Sequence, residues 1–223
     1  MPSTLRERNK AKRREAILDA ALELLSGAKL SELTTEQIAT RAEVSSMTVY
    51  NLVGTRGELW VALIERVVEG LVDELARRLH DGVRDPVADA RMVIELSTAA
   101  FVADSAAYRQ ILRSAQELAV AGATMGVDPA QLQVAAVSEA QRQGILRPEL
   151  NAGALGKQIY LSYIGAAYLW AGGGLDDEGF LIAALHGLYL TLVAGATEVW
   201  RPALEDELRA LGARLEHTRW GIL

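Results

Sequence analysis

The stretch from Thr34 to Val53, TTEQIATRAEVSSMTVYNLV, constrains the chain most, because it holds two helix starts on either side of one turn. Thr34 is followed three residues later by Gln37, so each side chain can satisfy an orphan backbone N–H at the other's position, as in a capping box. Ile38, Ala39 and Ala42 then form one apolar stripe while Glu36, Gln37, Thr40 and Arg41 stay polar, which predicts a half-buried helix of about two turns. The chain breaks at Glu43-Val44, and Ser45 caps a second helix. Val49 points inward with Val44, leaving Ser46, Met47, Thr48, Tyr50 and Asn51 outside. Two helices joined this way form the layout that seats one helix in the major groove of DNA. The outward groups suit base edges, thymine methyls and phosphates.

The rest of the chain must then be compatible with a helical protein, and composition says that it is. Half of the 223 residues are hydrophobic, aromatics are few, and alanine and leucine dominate, so the expected fold class is all-α. The absence of cysteine excludes disulfides, thiolate metal sites and cysteine nucleophiles. A signal peptide is not expected, because the N-terminus is basic rather than apolar. Residues 159–171 are too few to span ~30 Å of hydrocarbon, and residues 180–196 contain His186, two glycines and several hydroxyls, so buried helices are expected there rather than a membrane hairpin.

The net charge of −6 argues at first against a polyanionic partner, but its distribution reverses the argument. Residues 1–14 carry six Lys or Arg against Glu7 alone, a local +5, and residues 1–60 carry nine against eight acids, leaving −7 for the remainder. Arg6, Arg8, Lys10, Lys12, Arg13 and Arg14 thus form a basic arm beside the hairpin, and Lys10 and Arg13 are candidate phosphate contacts.

In chain order, Ile17, Ala21, Leu24 and Leu25 mark a first amphipathic helix that Gly27 ends. After the hairpin, Gly54 makes a turn, and Thr55 with Glu58 repeats the capping box at the start of a long helix to about His80. Trp60, Ile64, Val67, Leu71 and Leu75 mark its buried face, before Asp81-Gly82 breaks it. Further helices are predicted from Asp85-Pro86, from Asp104 or Ser105, and from Asp128-Pro129 to near Gly144. Two long ones follow, Asn151 to Ala171 and Asp176 to Val199, and a last one runs from Pro202 to about His217. The pair from 151 to 199 is apolar around much of its circumference and needs partners on two sides. An antiparallel pair of this kind suits a four-helix interface between two copies, with Leu155, Ile159, Ser162, Ala166, His186, Tyr189 and Leu190 as contributors.

The segment REAILDAALELLSGAKLSELTTEQIATRAEVSSMTVYNLVGTRGEL, Arg14 to Leu59, resembles the TetR family of bacterial transcriptional regulators in its threonine pair, Ile-Ala, Val-Ser turn, Thr-x-Tyr and Gly-Thr-Arg. Glu43 departs from the family's turn glycine, and Leu52-Val53 replaces the usual polar or aromatic residue followed by phenylalanine. The resemblance implies an N-terminal three-helix helix-turn-helix DNA-binding domain, residues 1–54, joined by a long helix to a helical ligand-binding and dimerisation domain, residues 55–223. It implies that Thr35, Ser46, Met47, Thr48, Tyr50 and Arg56 approach DNA, with Met47 and Thr48 on bases and Thr35, Tyr50 and Arg56 on phosphates. It further implies a homodimer that reads a palindromic operator with recognition helices about 34 Å apart. By the family's default, the resemblance implies a cytoplasmic, nucleoid-associated repressor released by a small-molecule effector at a coupling of about 1–3 kcal/mol, while the sequence leaves open whether the effector releases or recruits DNA. Met92, Phe101, Tyr108, Gln116, Tyr160 and Tyr163 are the expected lining of its pocket, and their low charge suits a mostly apolar ligand.

An enzyme is the main rival class. Gly153-Ala154-Leu155-Gly156-Lys157 lacks the spacing of a phosphate loop and no strand is predicted before it, while His80, His186 and His217 have no metal-ligand spacing. No catalytic residue, metal or cofactor is therefore expected. A helical scaffolding protein without sequence-specific DNA binding is the other alternative, disfavoured by the basic arm together with Thr48 and Tyr50.

Overall fold

The computed structural model describes residues 5–28, 32–79, 85–113, 126 and 128–218. The described residues form ten helices: α1 Leu5–Gly27, α2 Thr35–Arg41, α3 Ser46–Val53, α4 Arg56–Leu79, α5 Pro86–Ala103, α6 Ser105–Arg113, α7 Gln131–Arg142, α8 Ala152–Gly172, α9 Asp177–Gly195 and α10 Arg201–Leu215. The all-α expectation holds, and the starts of α5, α8 and α9 coincide with side-chain caps, whereas α7 begins at Gln131, after the expected Asp128-Pro129, and without one. Asp85 Oδ1 accepts from the Val87 and Ala88 N–H groups, Asn151 Oδ1 from Ala154 N–H and Asp176 Oδ1 from Gly179 N–H. The Gly153–Lys157 stretch lies inside α8.

The chain divides into two compact units: Met1–Val67 with Ala103–Gly126, and Val68–Val102 with Val127–Leu223. In the first, Ile17, Leu18, Ala21 and Leu25 of α1 are buried with Ile38 and Ala39 of α2, Val49 of α3 and Leu59, Trp60 and Leu63 of α4. Leu59 and Leu63 thus join the face marked by Trp60, because neighbours lie on more than one side of this segment. Helix α6 is tied to the same unit: Gln110 Nε2 donates to the Leu25 and Ala28 carbonyls at 2.8 and 2.9 Å, satisfying acceptors left open where α1 ends. Arg66 adds an ion pair to Asp19 at 2.7 Å. The unit therefore extends beyond Gly54, where the sequence marks the edge of the reading domain.

The second unit packs α5 and α7 to α10 around Trp170, Phe180, Ile94, Ile159 and Leu146. Trp170 stacks on Phe180 with centroids 5.2 Å apart, and its indole N–H donates to Asp177 Oδ1 at 2.6 Å. Two glycines allow close helix approach: a Cβ at Gly156 would stand 2.6 Å from the Val134 backbone of α7, and one at Gly187 of α9 would stand 2.5 Å from Ser162 Cβ of α8. Helix α9 ends four residues before the expected Val199. Arg147 N–H donates to the Gly195 carbonyl, Thr197 N–H donates to the Ile145 carbonyl, and Leu146 bridges Ala196, so backbone partners far along the chain replace the last helical turn. By length and composition α9 passes as a membrane-crossing helix, yet 56% of its apolar 18-residue stretch is buried inside the protein.

Candidate nucleic-acid interface

Local capping chemistry places the recognition helix. Thr34 N–H donates to Gln37 Oε1 at 2.8 Å and Gln37 N–H donates to Thr34 Oγ1 at 3.2 Å, completing the capping box of α2. Helix α2 then closes in a Schellman turn: Val44 N–H reaches the Ala39 carbonyl at 2.9 Å and Glu43 N–H the Thr40 carbonyl at 3.2 Å. That turn demands a left-handed residue, and Glu43 supplies it at φ 55°. The departure from glycine is thus accommodated without loss of the turn, at a backbone cost of about 1–2 kcal/mol. Ser45 follows as N-cap of α3, its Oγ accepting from Thr48 N–H at 3.1 Å and pairing with Thr48 Oγ1 at 2.8 Å.

Helix α3 is held by buried Val49 and presents the remainder outward. Met47 is 66% exposed and Tyr50 60%. Asn51 is exposed, whereas Ser46, Thr48 and Thr35 are half-buried. Gly54, at φ 96°, turns the chain into α4, where Thr55 N–H donates to Glu58 Oε2 at 2.6 Å and Glu58 N–H donates to Thr55 Oγ1 at 3.3 Å. The Thr55 N–H bond holds the Glu58 carboxyl below its ordinary range. Arg56 is the first residue of α4.

The basic run differs from the arm that the sequence suggests. It is helical from Leu5, since Arg, Lys and Ala are good helix formers and nothing in the run caps or breaks before Ile17. Arg6, Asn9, Lys10 and Arg13 therefore fall on one stripe, at i, i+3, i+4 and i+7. With Leu5 they form one wall of a groove of about 730 Å³ whose other wall is Thr48, Asn51 and Leu52 of α3. Among the described residues no carboxylate pairs with Arg6, Lys10 or Arg13, whereas Arg14 lies 3.6 Å from Glu15 and Arg41 pairs with Glu23. Unpaired cations along one side of a groove, beside a helix of short polar side chains, suit a polyanion whose bases are to be read. Lys10, Arg13 and Thr48 are expected contacts from the sequence, where Arg6 stands only as part of the basic arm, Asn51 only as an outward residue of the second helix, and Asn9 is not singled out. The spacing of Arg6, Asn9, Lys10 and Arg13 is visible in the sequence once α1 is extended to Leu5.

The other candidate residues are distributed as follows. Phe101 and Tyr160 flank Tyr163, each with ring centroids 6.5 Å from it, and Phe180 lies 5.6 Å from it on a further side. Met92 is buried on α5. The Tyr163 hydroxyl faces Ser97 and Thr98 without reaching hydrogen-bond geometry, and burial pushes its phenol well up. Tyr108 belongs to the first unit, its hydroxyl 3.4 Å from the Leu63 carbonyl, and burial raises its pKa too. Gln116 lies outside the described residues. On α8 and α9, Ile159, Ala166 and Tyr189 are in the core of their own unit, Leu155, Ser162 and His186 are half-buried, and Leu190 is 53% exposed. Tyr189 also accepts from Arg91, at 3.4 Å.

No protein-family model and no curated protein matches the chain. Solved structures do. The Stenotrophomonas maltophilia repressor SmeT, of the multidrug efflux pump SmeDEF, aligns with TM-score 0.59 and 23% identity over 83% of this chain and 91% of its own. Thermus thermophilus FadR, a TetR-family transcriptional repressor in complex with lauroyl-CoA, gives 0.63 and 22% over 83% and 96%. The TetR-family protein CprB from S. coelicolor A3(2) gives 0.56 and 17% over 92% and 98%. These neighbours are transcriptional regulators rather than enzymes. Sequence motif, helix order and structural neighbours agree: the chain has the fold of the TetR-family transcriptional regulators.

Proposed function

We propose that this chain is a transcriptional repressor that binds a palindromic double-stranded DNA operator as a homodimer and leaves it when a small, mostly apolar effector binds. The observation that carries the DNA reading is the groove in which unpaired Arg6, Lys10 and Arg13 face Thr48 and Asn51 of α3. In this reading Met47, Thr48 and Ser46 approach base edges. Tyr50, Thr35, Arg56, Lys10 and Arg13 hold phosphates, and residues 1–54 act as the reading domain.

Residues 55–223 then supply dimerisation and the effector site, in the cytoplasm. The outward stripes of α8 and α9 carry Leu161, 58% exposed, Tyr168, 47%, and Leu190, 53%, and these meet the second copy. Phe101, Tyr160 and Tyr163, together with Met92 of the same unit, are the residues that an apolar effector contacts. FadR of Thermus thermophilus is in complex with lauroyl-CoA, so a compound with a long acyl chain and few charges is the first to try. Helix α4 begins in the first compact unit and ends in the second, so a shift of that helix is the route by which an effector alters DNA affinity.

Binding of purified protein to genomic fragments, followed by titration across salt, tests the proposal. A few fragments should be retained preferentially, with log K falling by about 0.9 per log salt for each phosphate neutralised. Binding that ignores sequence, or none at low salt, would return the chain to the scaffolding alternative.

A further inference from the structure

Of the side chains along α3, Asn51 combines three properties that its neighbours do not share. It is exposed, it lines the groove opposite Arg6, Lys10 and Arg13, and its amide has no hydrogen-bond partner among the described residues. Thr48 lines the same groove, but its Oγ1 is turned back to Ser45 Oγ at 2.8 Å, within the cap of the helix. Met47 offers only a thioether and methyl. An uncommitted carboxamide presents a donor and an acceptor side by side, the pair needed to bond N7 and N6 of adenine at once.

We infer that Asn51 is a specificity-determining residue that reads one adenine in each half of the bound DNA through its carboxamide. The inference rests on the DNA-binding reading above and adds to it the base type and the residue. The helix spacing supports it: Asn51 follows Met47 by four positions and Thr48 by three, so the three share one face, with Asn51 furthest from the capped end. The cations on α1 stand across the same groove, where they hold a phosphate strand while the amide addresses a base edge.

The test is selection of full-length protein on a random duplex library, run in parallel for wild type, Asn51→Ala and Asn51→Gln. Wild type should yield a two-fold symmetric motif with an adenine fixed in each half. Asn51→Ala should lose preference at that position alone, by about 10- to 100-fold, and keep the others. Asn51→Gln retains an amide able to bond adenine, and should keep binding while conserving or shifting the preferred adenine. An unchanged motif for Asn51→Ala overturns the assignment. If Asn51→Ala binds nothing, Asn51→Gln decides: restored selection for adenine supports the role, and failure to restore it overturns it. If wild type itself selects no motif, the DNA-binding reading has failed and this inference with it, an outcome separable from loss in the variant alone.

Discussion

Two helical hairpins, α2–α3 in the first unit and α8–α9 in the second, are built with the same local chemistry and end in different surfaces. Each opens with a side-chain cap, closes its first helix in a Schellman turn and caps the next with an oxygen, Ser45 in one and Asp176 in the other. The left-handed turn residue is Glu43 at φ 55° in the first and Gly173 at φ 85° in the second. Backbone hydrogen bonding sets the turn, and the residue only sets its cost. Beyond the turns the hairpins diverge. Helices α2 and α3 are short and point polar and thioether groups outward, whereas α8 and α9 are long, apolar around much of their circumference, and pack through Gly187 against Ser162. Turn chemistry thus determines that a hairpin forms, and the outer face determines what it can meet: in the proposed function, a polyanion in one case and a second copy in the other.

The largest effect should come from charging the apolar face. Leu161→Asp with Leu190→Asp should convert the proposed dimer to monomer in sedimentation velocity while leaving helical content intact, since both side chains are more than half exposed. A dimer that survives both changes removes the copy from that face. Next, Gly187→Ala should destabilise the protein by about 1–3 kcal/mol in urea unfolding, because the added methyl cannot fit without displacing Ser162. An unaltered midpoint would show that α8 and α9 do not approach so closely.

A smaller effect of opposite signs compares the two turns directly. Glu43→Gly should stabilise by about 0.5–1 kcal/mol, relief of the left-handed strain exceeding the added freedom of the unfolded chain. Gly173→Ala should destabilise by about 1–2 kcal/mol. Equal signs would mean that the two turns are not equivalent. The smallest effect concerns the entry to α4. The Thr55 N–H bond lowers the folded-state pKa of Glu58 below its ordinary 4.5, so the capping box contributes fully above that value. Its contribution declines as pH falls through the lowered value and is absent below it. A carbon-detected titration of the Glu58 carboxyl should show a midpoint under 4.5, and one at or above 4.5 would contradict the bond.

What could be read in the sequence was chemistry that operates within a few positions. The capping boxes Thr34–Gln37 and Thr55–Glu58, the cap Ser45 and the inward Val49 all depend on neighbours three or four residues away, and each lies where expected, as do the helix starts at Asn151 and Asp176, where the side chains cap. The all-α architecture follows from the same local rules. What the sequence could not determine were relations between distant segments. Helix α1 starts at Leu5 and aligns Arg6, Lys10 and Arg13 against Asn51, so a run that reads as an arm becomes one wall of a groove. Tyr108 packs with Leu63 in the first unit, Ile159, Ala166 and Tyr189 turn into the core of the second, and α9 gives up its last turn to strand-like partners at Ile145 and Arg147. Periodicity reports that a residue lies on an apolar face. Only tertiary packing decides which partner that face meets, because burial is non-directional while caps and turns are bound to sequence spacing.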